Sequence, residues 1–568
     1  MLIRWATFSP DPVLLDTEWV TPSQPTGLSL WSIGYIANRG ELIHRYGLSR
    51  QSSTLDLLLF LFQKMGAAAS ARLVTGPCSW IVWDSAQKLL FVVSDRMGLA
   101  PLYHAQFAGC LWIADDEDVL LTKTGIPRQA NPSAIVAKIV SLSMLEDETI
   151  YQGIYKLTPG TVWTCASNHS SRLTYWRAKL QPVLHLKSNQ EYAEALRALL
   201  IQVVDEHVPR EQFALTLSSG MDSSSLAGAL RLLRPNDRIP SLGWSMPELP
   251  DGNEKEWILA TSQKLDLDLT ELRADQLWPL KPSSPCEELP QMTAYQEIWG
   301  VACSEARKKG IRVLITGAMG DQCFGNFICS YSDLLLSLRW IELGQQIRHE
   351  WVQGYYIRPP DWKTPLRRSL RPLKQYIENL LLHRKQVAPA SWLHPSQQVV
   401  YERVRYANRR PFKLGLPARV MRWWQIIDPE NLQNILQFHK LAQKFGIEMR
   451  HPLWDHRILE FALQLPAEQT YQAGTHKIIL RNAMCGVLPD MVVELRNKIS
   501  MFSLFHRGLR ERSIEQAMVL MTNMRLADMG YVLPSELQAV YQRYVGGETD
   551  DQNFFFTLML ESQVRAWH

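Results

Sequence analysis

One stretch constrains this chain more than any other: Phe213-Ala-Leu-Thr-Leu-Ser-Ser-Gly-Met-Asp-Ser-Ser-Ser-Leu226. Phe213 to Leu217 is a short apolar β-type run, and Leu226, Ala229, Leu230 and Leu233 then recur on one face of a helical pattern. A strand feeding a helix through Ser218, Ser219 and Gly220 lets backbone N–H groups close on an anion. The helix N-terminus adds its positive dipole end. Asp222, with Ser223 beside it, repels phosphate unless a divalent cation lies between them, so Asp222 reads as a Mg²⁺ ligand. No Gly-Lys-Ser/Thr closes the loop, which excludes a Walker A motif. A serine-rich N-cap after a strand fits the first few residues equally well.

Two later segments add to it. Val313-Leu-Ile-Thr-Gly-Ala-Met-Gly-Asp-Gln322 is another apolar run, in which Gly317 and Gly320 permit close backbone approach and Asp321 offers a second carboxylate. Phe445-Gly-Ile-Glu-Met-Arg-His-Pro-Leu-Trp-Asp455 precedes an amphipathic helix over Arg457 to Leu465. In this order and spacing the three segments resemble the synthetase domain of the asparagine synthetase family, which is of the ATP pyrophosphatase type. There the patterns run Ser-Gly-Gly-x-Asp-Ser, Gly-x-Gly-x-Asp and Glu-x-Arg-x-Pro-x-x-Asp; here Ser219 replaces the middle glycine. Gly474-Thr-His-Lys-Ile-Ile-Leu-Arg481 and Arg496-Asn-Lys498 resemble the family's last two basic signatures.

The resemblance implies an α/β synthetase domain, a doubly wound parallel sheet with helical insertions. ATP and Mg²⁺ are then expected across the ends of strands Phe213–Leu217, Ser241–Ser245 and Val313–Thr316. Ser218, Ser219, Gly220, Asp222, Ser223, Gly243, Trp244, Thr316 and Gly317 are the expected nucleotide contacts, and Asp222 and Asp321 the metal ligands. Lys477 is assigned to the leaving pyrophosphate, and Lys498 to the oxyanion of the amide-forming step. Glu448 is the candidate base or base-orienter.

Residues 1 to about 180 show short β-type runs between turns: Leu28 to Ile36, Ser79 to Trp83, Leu89 to Val93, Cys110 to Ala114 and Thr161 to Cys165. Ser79-Trp-Ile-Val-Trp-Asp84 and Ser94-Asp-Arg-Met-Gly-Leu-Ala-Pro-Leu-Tyr103 resemble the N-terminal glutaminase fold of glutamine-dependent asparagine synthetases. The expected organisation is therefore a degenerate glutaminase-like α+β sandwich over 1–185 and the synthetase domain over 186–568, with a basic helical insertion at 331–420. A working glutaminase of this type needs a cysteine directly after the initiator Met. Residue 2 is Leu, and the first cysteine is Cys78. The fold is expected to be retained and its chemistry lost.

In asparagine synthetases a Glu follows the first glycine of the second motif, and in β-lactam synthetase a Tyr does; here it is Ala318. A third branch, the lasso peptide cyclases, also lacks the N-terminal Cys. It adenylates an Asp or Glu side chain of a precursor peptide and joins it to the peptide's N-terminal amine as a macrolactam. That branch is the favoured reading, and it implies a precursor peptide, a leader-binding protein and a leader peptidase as partners. A small-molecule amide or β-lactam synthetase is the second reading, and an inactive scaffold of a peptide-processing complex the third. Residues 331 to 420 carry 16 Lys and Arg against 6 Asp and Glu, interleaved with aromatics, which suits a carboxylate-bearing peptide or a solvated helical insertion equally. A net charge of +4 over 568 residues gives no case for nucleic acid. No apolar run reaches a membrane span, Met1 to Val20 carries Asp, Glu and Pro, and the cysteines form no Cys-x-x-Cys pair. A cytoplasmic enzyme is the expectation.

Overall fold

A computed structural model describes residues 1–6, 13–14, 27–167, 169–282, 285–286, 288–325, 330–352, 374, 388–409, 415–472, 474–495, 499 and 501–567. The chain divides into two units, Met1–Ala137 with Met144–Arg177, and Lys138–Ser143 with Ala178–His568. Among the described residues no helix is long and apolar enough to cross a membrane.

The first unit is built on two antiparallel sheets. One has the order β2 (Val13–Leu14), β1 (Leu2–Ala6), β7 (Cys110–Ala114), β6 (Tyr103–Phe107) and β8 (Tyr155–Lys156), and the other β10 (Ser170–Thr174), β9 (Thr161–Cys165), β5 (Leu89–Val93), β4 (Cys78–Asp84) and β3 (Leu28–Gly34). Three of the five expected β-runs are reproduced to the residue: β5 (Leu89–Val93), β7 (Cys110–Ala114) and β9 (Thr161–Cys165). The other two differ slightly, as β3 (Leu28–Gly34) and β4 (Cys78–Asp84). Alternation along β4 explains the layers. Ile81 and Trp83 join Ile3 and Trp5 of β1 (Leu2–Ala6) and Ile113 of β7 in an inter-sheet core. Trp80 and Val82 face the other way, into a cluster with Leu57, Leu58 and Leu61 of the helix Thr54–Leu73. With both faces covered, β4 is buried along its whole length. The Ser94–Tyr103 motif is a loop up to Leu102, gathered around the buried Asp95, whose carboxylate accepts backbone N–H bonds from Met97, Leu99 and Ala100 at 3.1 Å each. Leu2 is buried in β1 opposite Ala114. Burial, with Asp95 adding to it, pushes the Cys78 thiol far up, so it stays protonated and inert.

The second unit carries a five-stranded parallel sheet in the order β13-β12-β11-β14-β15. Its strands are β11 (Phe213–Leu217), β12 (Ile239–Ser245), β13 (Leu267–Arg273), β14 (Val313–Ile315) and β15 (Glu448–Arg450). β11 is the central strand and is fully buried, as its continuous apolar run requires when helices cover both faces. Ala214, Leu242, Leu314 and Met449 pack on one face against Ile298, Ala302 and Ala306 of the helix Gln296–Lys308. The chain runs outward from β11 to β12 and β13, then returns to β14 on the other side. That reversal puts the topological switch point between β11 and β14, where open parallel sheets leave a crevice at their carboxyl ends.

Of the basic 331–420 segment, the described parts include the helices Trp340–Val352 and Gln398–Ala407. Its proline-rich middle, with Pro359, Pro360, Pro365 and Pro372, lies outside the described residues.

Candidate active site

The crevice at the switch point is a cleft of about 580 Å³. Its floor is the turn from β11 into the helix Met221–Leu233. Here small side chains do what the sequence asks of them. Ser218 Oγ lies 2.8 Å from Ser223 Oγ and accepts the Gly220 N–H at 3.2 Å, which folds the loop back on the helix N-terminus. Ser219, in place of a glycine, is buried and donates its hydroxyl to Glu254 at 2.9 Å. Gly220 is the N-cap and offers no side-chain cap of its own.

Two glycines of the next motif exist because side chains would not fit. A Cβ at Gly317 would come within 2.7 Å of the Ser223 nitrogen, and one at Gly320 within 2.1 Å of the Asp222 carboxyl. The backbone after β14 thereby reaches Asp222 closely and brings Asp321 to the same place. Lys477 completes the group: its ammonium lies 2.6 Å from Asp222 Oδ2 and 2.7 Å from Asp321 Oδ1. Burial works against that charge, but the two carboxylates outweigh it and hold the Lys477 pKa above the usual lysine value. Two non-glycine residues here are in the left-handed region, Met319 at φ 77° and Lys477 at φ 58°. Such conformations cost about 1–3 kcal/mol and concentrate at functional sites.

An oxygen-only pair of carboxylates beside a helix N-terminus suits Mg²⁺, which takes one or two carboxylates and fills its shell with phosphate oxygens and water. Among the described residues no group of three or more His, Cys, Asp and Glu could hold a metal alone, so the phosphates would supply the rest. Asp222 and Asp321 would hold the ion, and Lys477 would turn to the phosphates.

Most of the expected nucleotide contacts meet in this cleft: Ser218, Ser219, Gly220, Asp222, Ser223, Trp244, Thr316 and Gly317 all line it, with Asp321 and Lys477. Trp244 packs edge-on against Trp299, with centroids 5.3 Å apart. Gly243 is not in the wall. Its missing side chain makes room for Ile258, which would be 2.7 Å from a Cβ there, so this glycine serves helix-on-sheet packing.

Glu448 is also outside the cleft. It opens β15 opposite Val313, while the cleft lies at the other end of the strands, and its half-exposed carboxylate accepts Arg450 Nε at 2.7 Å. Arg450 in turn donates to the His207 carbonyl at 2.9 Å. Alternation along an extended strand turns Glu448 and Arg450 one way, and Met449 and His451 the other, into the cleft wall. The motif's last member, Asp455, is buried and caps the helix His456–Gln464, observed where Arg457 to Leu465 was expected. Burial would raise its pKa, but Arg457 and His207 hold its carboxyl well below the usual range. Lys498, Arg496 and Asn497 lie outside the described residues. Leading up to them, Arg481 donates to the carbonyls of His476, Val493 and Leu495 and so fixes the approach.

Residues that sequence reasoning missed are His451, His439 and Glu254. Period-two counting from Met449 would have aimed His451 at the cleft. Glu254 carried no such signal, since the bond that brings it in spans 35 residues.

Residues 195–568 match the asparagine synthase model, and residues 34–176 match a glutamine amidotransferase domain. A glutamine-hydrolyzing asparagine synthetase of Bacillus subtilis is 21% identical over 484 residues, 81% of this chain and 72% of that protein. A putative asparagine synthetase of Mycobacterium tuberculosis is 22% identical over 535 residues, 84% of this chain and 75% of that one. The amidase chyE of Penicillium rubens is 23% identical over 305 residues, which span 50% of this chain and 44% of the amidase.

Proposed function

The chain belongs to the asparagine synthase family of ATP-dependent amide-forming enzymes, and from that premise we propose that it is a peptide cyclase. In this reading, which follows the lasso peptide cyclases, a side-chain carboxylate of a precursor peptide attacks the α-phosphate of ATP. Pyrophosphate leaves toward Lys477, and the peptide's N-terminal amine then displaces AMP to close a macrolactam. Mg²⁺, held by Asp222 and Asp321, would neutralise charge on the phosphates. The helix N-terminus at Gly220 and the Lys477 ammonium are this chain's own contribution to that neutralisation. Lys498 is assigned to the oxyanion. Holding amine and acyl group together replaces a costly bimolecular encounter.

Ala318 carries the reading. It lines the cleft with a methyl group, and Ile435, Phe438 and Met449 line it too. This apolar part of the wall supports an extended peptide, since the α-ammonium and α-carboxylate of a free amino acid would each need a counter-charge beside it. Convergence of Lys477 on both carboxylates supports chemistry over a scaffold role. A precursor peptide, a leader-binding protein and a leader peptidase would then be the partners.

The test offers the protein ATP, Mg²⁺ and a synthetic peptide with an N-terminal Gly and an internal Asp, in parallel with aspartate and ammonia. AMP formation with loss of one water from the peptide supports cyclisation. AMP formation with the small acid alone favours the small-molecule amide synthetase.

A further inference from the structure

One polar chain in the cleft wall is left unused by this scheme. Thr316 Oγ1 lies 2.6 Å from Nδ1 of His451, and Nε2 of His451 lies 2.8 Å from Nε2 of His439. The two imidazoles are nearly parallel, with centroids 5.1 Å apart and planes at 8°. Three separate places supply them: the residue after β14, the residue after β15, and the helix Pro429–Lys444. Thr316 and His451 line the cleft itself, and both are buried.

Burying two imidazoles costs more than burying two apolar rings of similar shape, so their retention asks for a role. The remaining charged groups of the wall have other attachments. Asp222 and Asp321 bind Lys477, Glu254 binds Ser219, Arg481 binds main-chain carbonyls, and His476 adjoins Lys477 in sequence.

Hydrogen-bond geometry also gives the chain a direction. Thr316 Oγ1 accepts the Ala318 N–H at 3.3 Å, which leaves its own hydrogen for Nδ1 of His451. His451 then carries its hydrogen on Nε2 and donates it to Nε2 of His439. Burial lowers the pKa of both rings, so both are neutral at rest and His439 holds an added proton only transiently.

We infer that Thr316, His451 and His439 form the proton-accepting relay for the attacking amine, beside Ala318. As the amine nitrogen bonds to the acyl carbon and the acyl–AMP oxygen bond breaks, the amine proton passes to Thr316 Oγ. The threonine proton moves to Nδ1 of His451, the Nε2 proton moves to His439, and His439 ends as the imidazolium. Thr316, which meets the amine, is then the catalytic residue, and His451 and His439 are positioning residues that act through it. This inference rests on the amide-forming reading.

The test uses the full chain and the same synthetic peptide, and separates the half-reactions. Peptide-driven ATP–pyrophosphate exchange reports carboxylate activation, and loss of water from the peptide reports amide formation. Hydroxylamine, unprotonated at neutral pH, attacks the same acyl carbon with little need of a base and gives a hydroxamate. His451→Gln is expected to slow cyclisation about a hundredfold, with exchange falling far less and hydroxylamine restoring turnover. His439→Asn is expected to shift both in the same direction by less. Equal loss of exchange and cyclisation, no loss of either, or the same pattern from His476→Asn instead would overturn the relay. No peptide-driven exchange in the wild type would remove the peptide-cyclase reading, and with it the relay for a peptide amine.

Discussion

The Lys477 ammonium lies 2.6 Å from the Asp222 carboxylate, across 255 residues of sequence. It also bridges to Asp321, so one cation stands where a metal and its phosphates are proposed. Lys477→Met is expected to cut ATP–pyrophosphate exchange by about a hundredfold or more, because the leaving group loses its counter-charge. Mg²⁺ alone should then stabilise the variant more than the wild type in thermal unfolding, since the two carboxylates lose their internal cation. An unchanged Mg²⁺ response would contradict the shared-site assignment.

Asp222→Ala removes the carboxylate that Lys477 and the Gly320 backbone both enclose. Mg²⁺-dependent formation of AMP should fall to background. Wild-type-like AMP formation in that variant would end its assignment as a metal ligand.

Gly320→Ala tests the same carboxylate sterically. The added methyl would meet the Asp222 carboxyl at 2.1 Å and push it out of place. Stabilisation by Mg²⁺ and ATP together should disappear. Gly344→Ala, where nothing lies within 4 Å, serves as the comparison and should be stabilising by up to about 1 kcal/mol within its helix.

Much of this was legible in the sequence, for identifiable reasons. β11 and the helix from Met221 were readable because an apolar run and a 3.6-residue period are local signals, and the glycine–aspartate motif after β14 likewise. Gly243 and Glu448 do not line the cleft, although a place in a strand expected at the nucleotide and membership of a motif had put them there. For Gly243 the deciding fact is Ile258 on a neighbouring helix, and for Glu448 it is the end of the strand on which it stands. The Thr316–His451–His439 chain joins segments up to 135 residues apart, and no local pattern announces such a contact.

Glu448→Gln follows from that correction. Its carboxylate is held by Arg450 at the strand end away from the cleft, and nearly half of its side chain is exposed to solvent. Activity should stay within about twofold of wild type, since surface ion pairs contribute only about 0–1 kcal/mol. A hundredfold loss in kcat would restore Glu448 as the base.

His104 governs an acid response in the first unit. Burial, reinforced by Arg172, lowers its pKa from 6.5 to about 4. The unfolded state therefore binds a proton between these values that the folded state refuses. Its contribution is present above about pH 6.5 and is lost as pH falls through 4, roughly 3 kcal/mol in all. Hydrogen-exchange protection of β6 (Tyr103–Phe107) and β9, corrected for intrinsic rates, should fall across that window and fall less in His104→Gln. Equal slopes in both proteins would show that His104 is not the group responsible.

The most direct test of the central claim follows an oxygen atom. The synthetic peptide is prepared with heavy oxygen in its Asp carboxylate and incubated with the protein, Mg²⁺ and ATP. Attack of that carboxylate on the α-phosphate must carry one heavy oxygen into AMP, with the peptide one water lighter. Heavy oxygen in AMP together with the cyclised peptide is the predicted result. Unlabelled AMP, or ADP and phosphate as the products, would contradict the account.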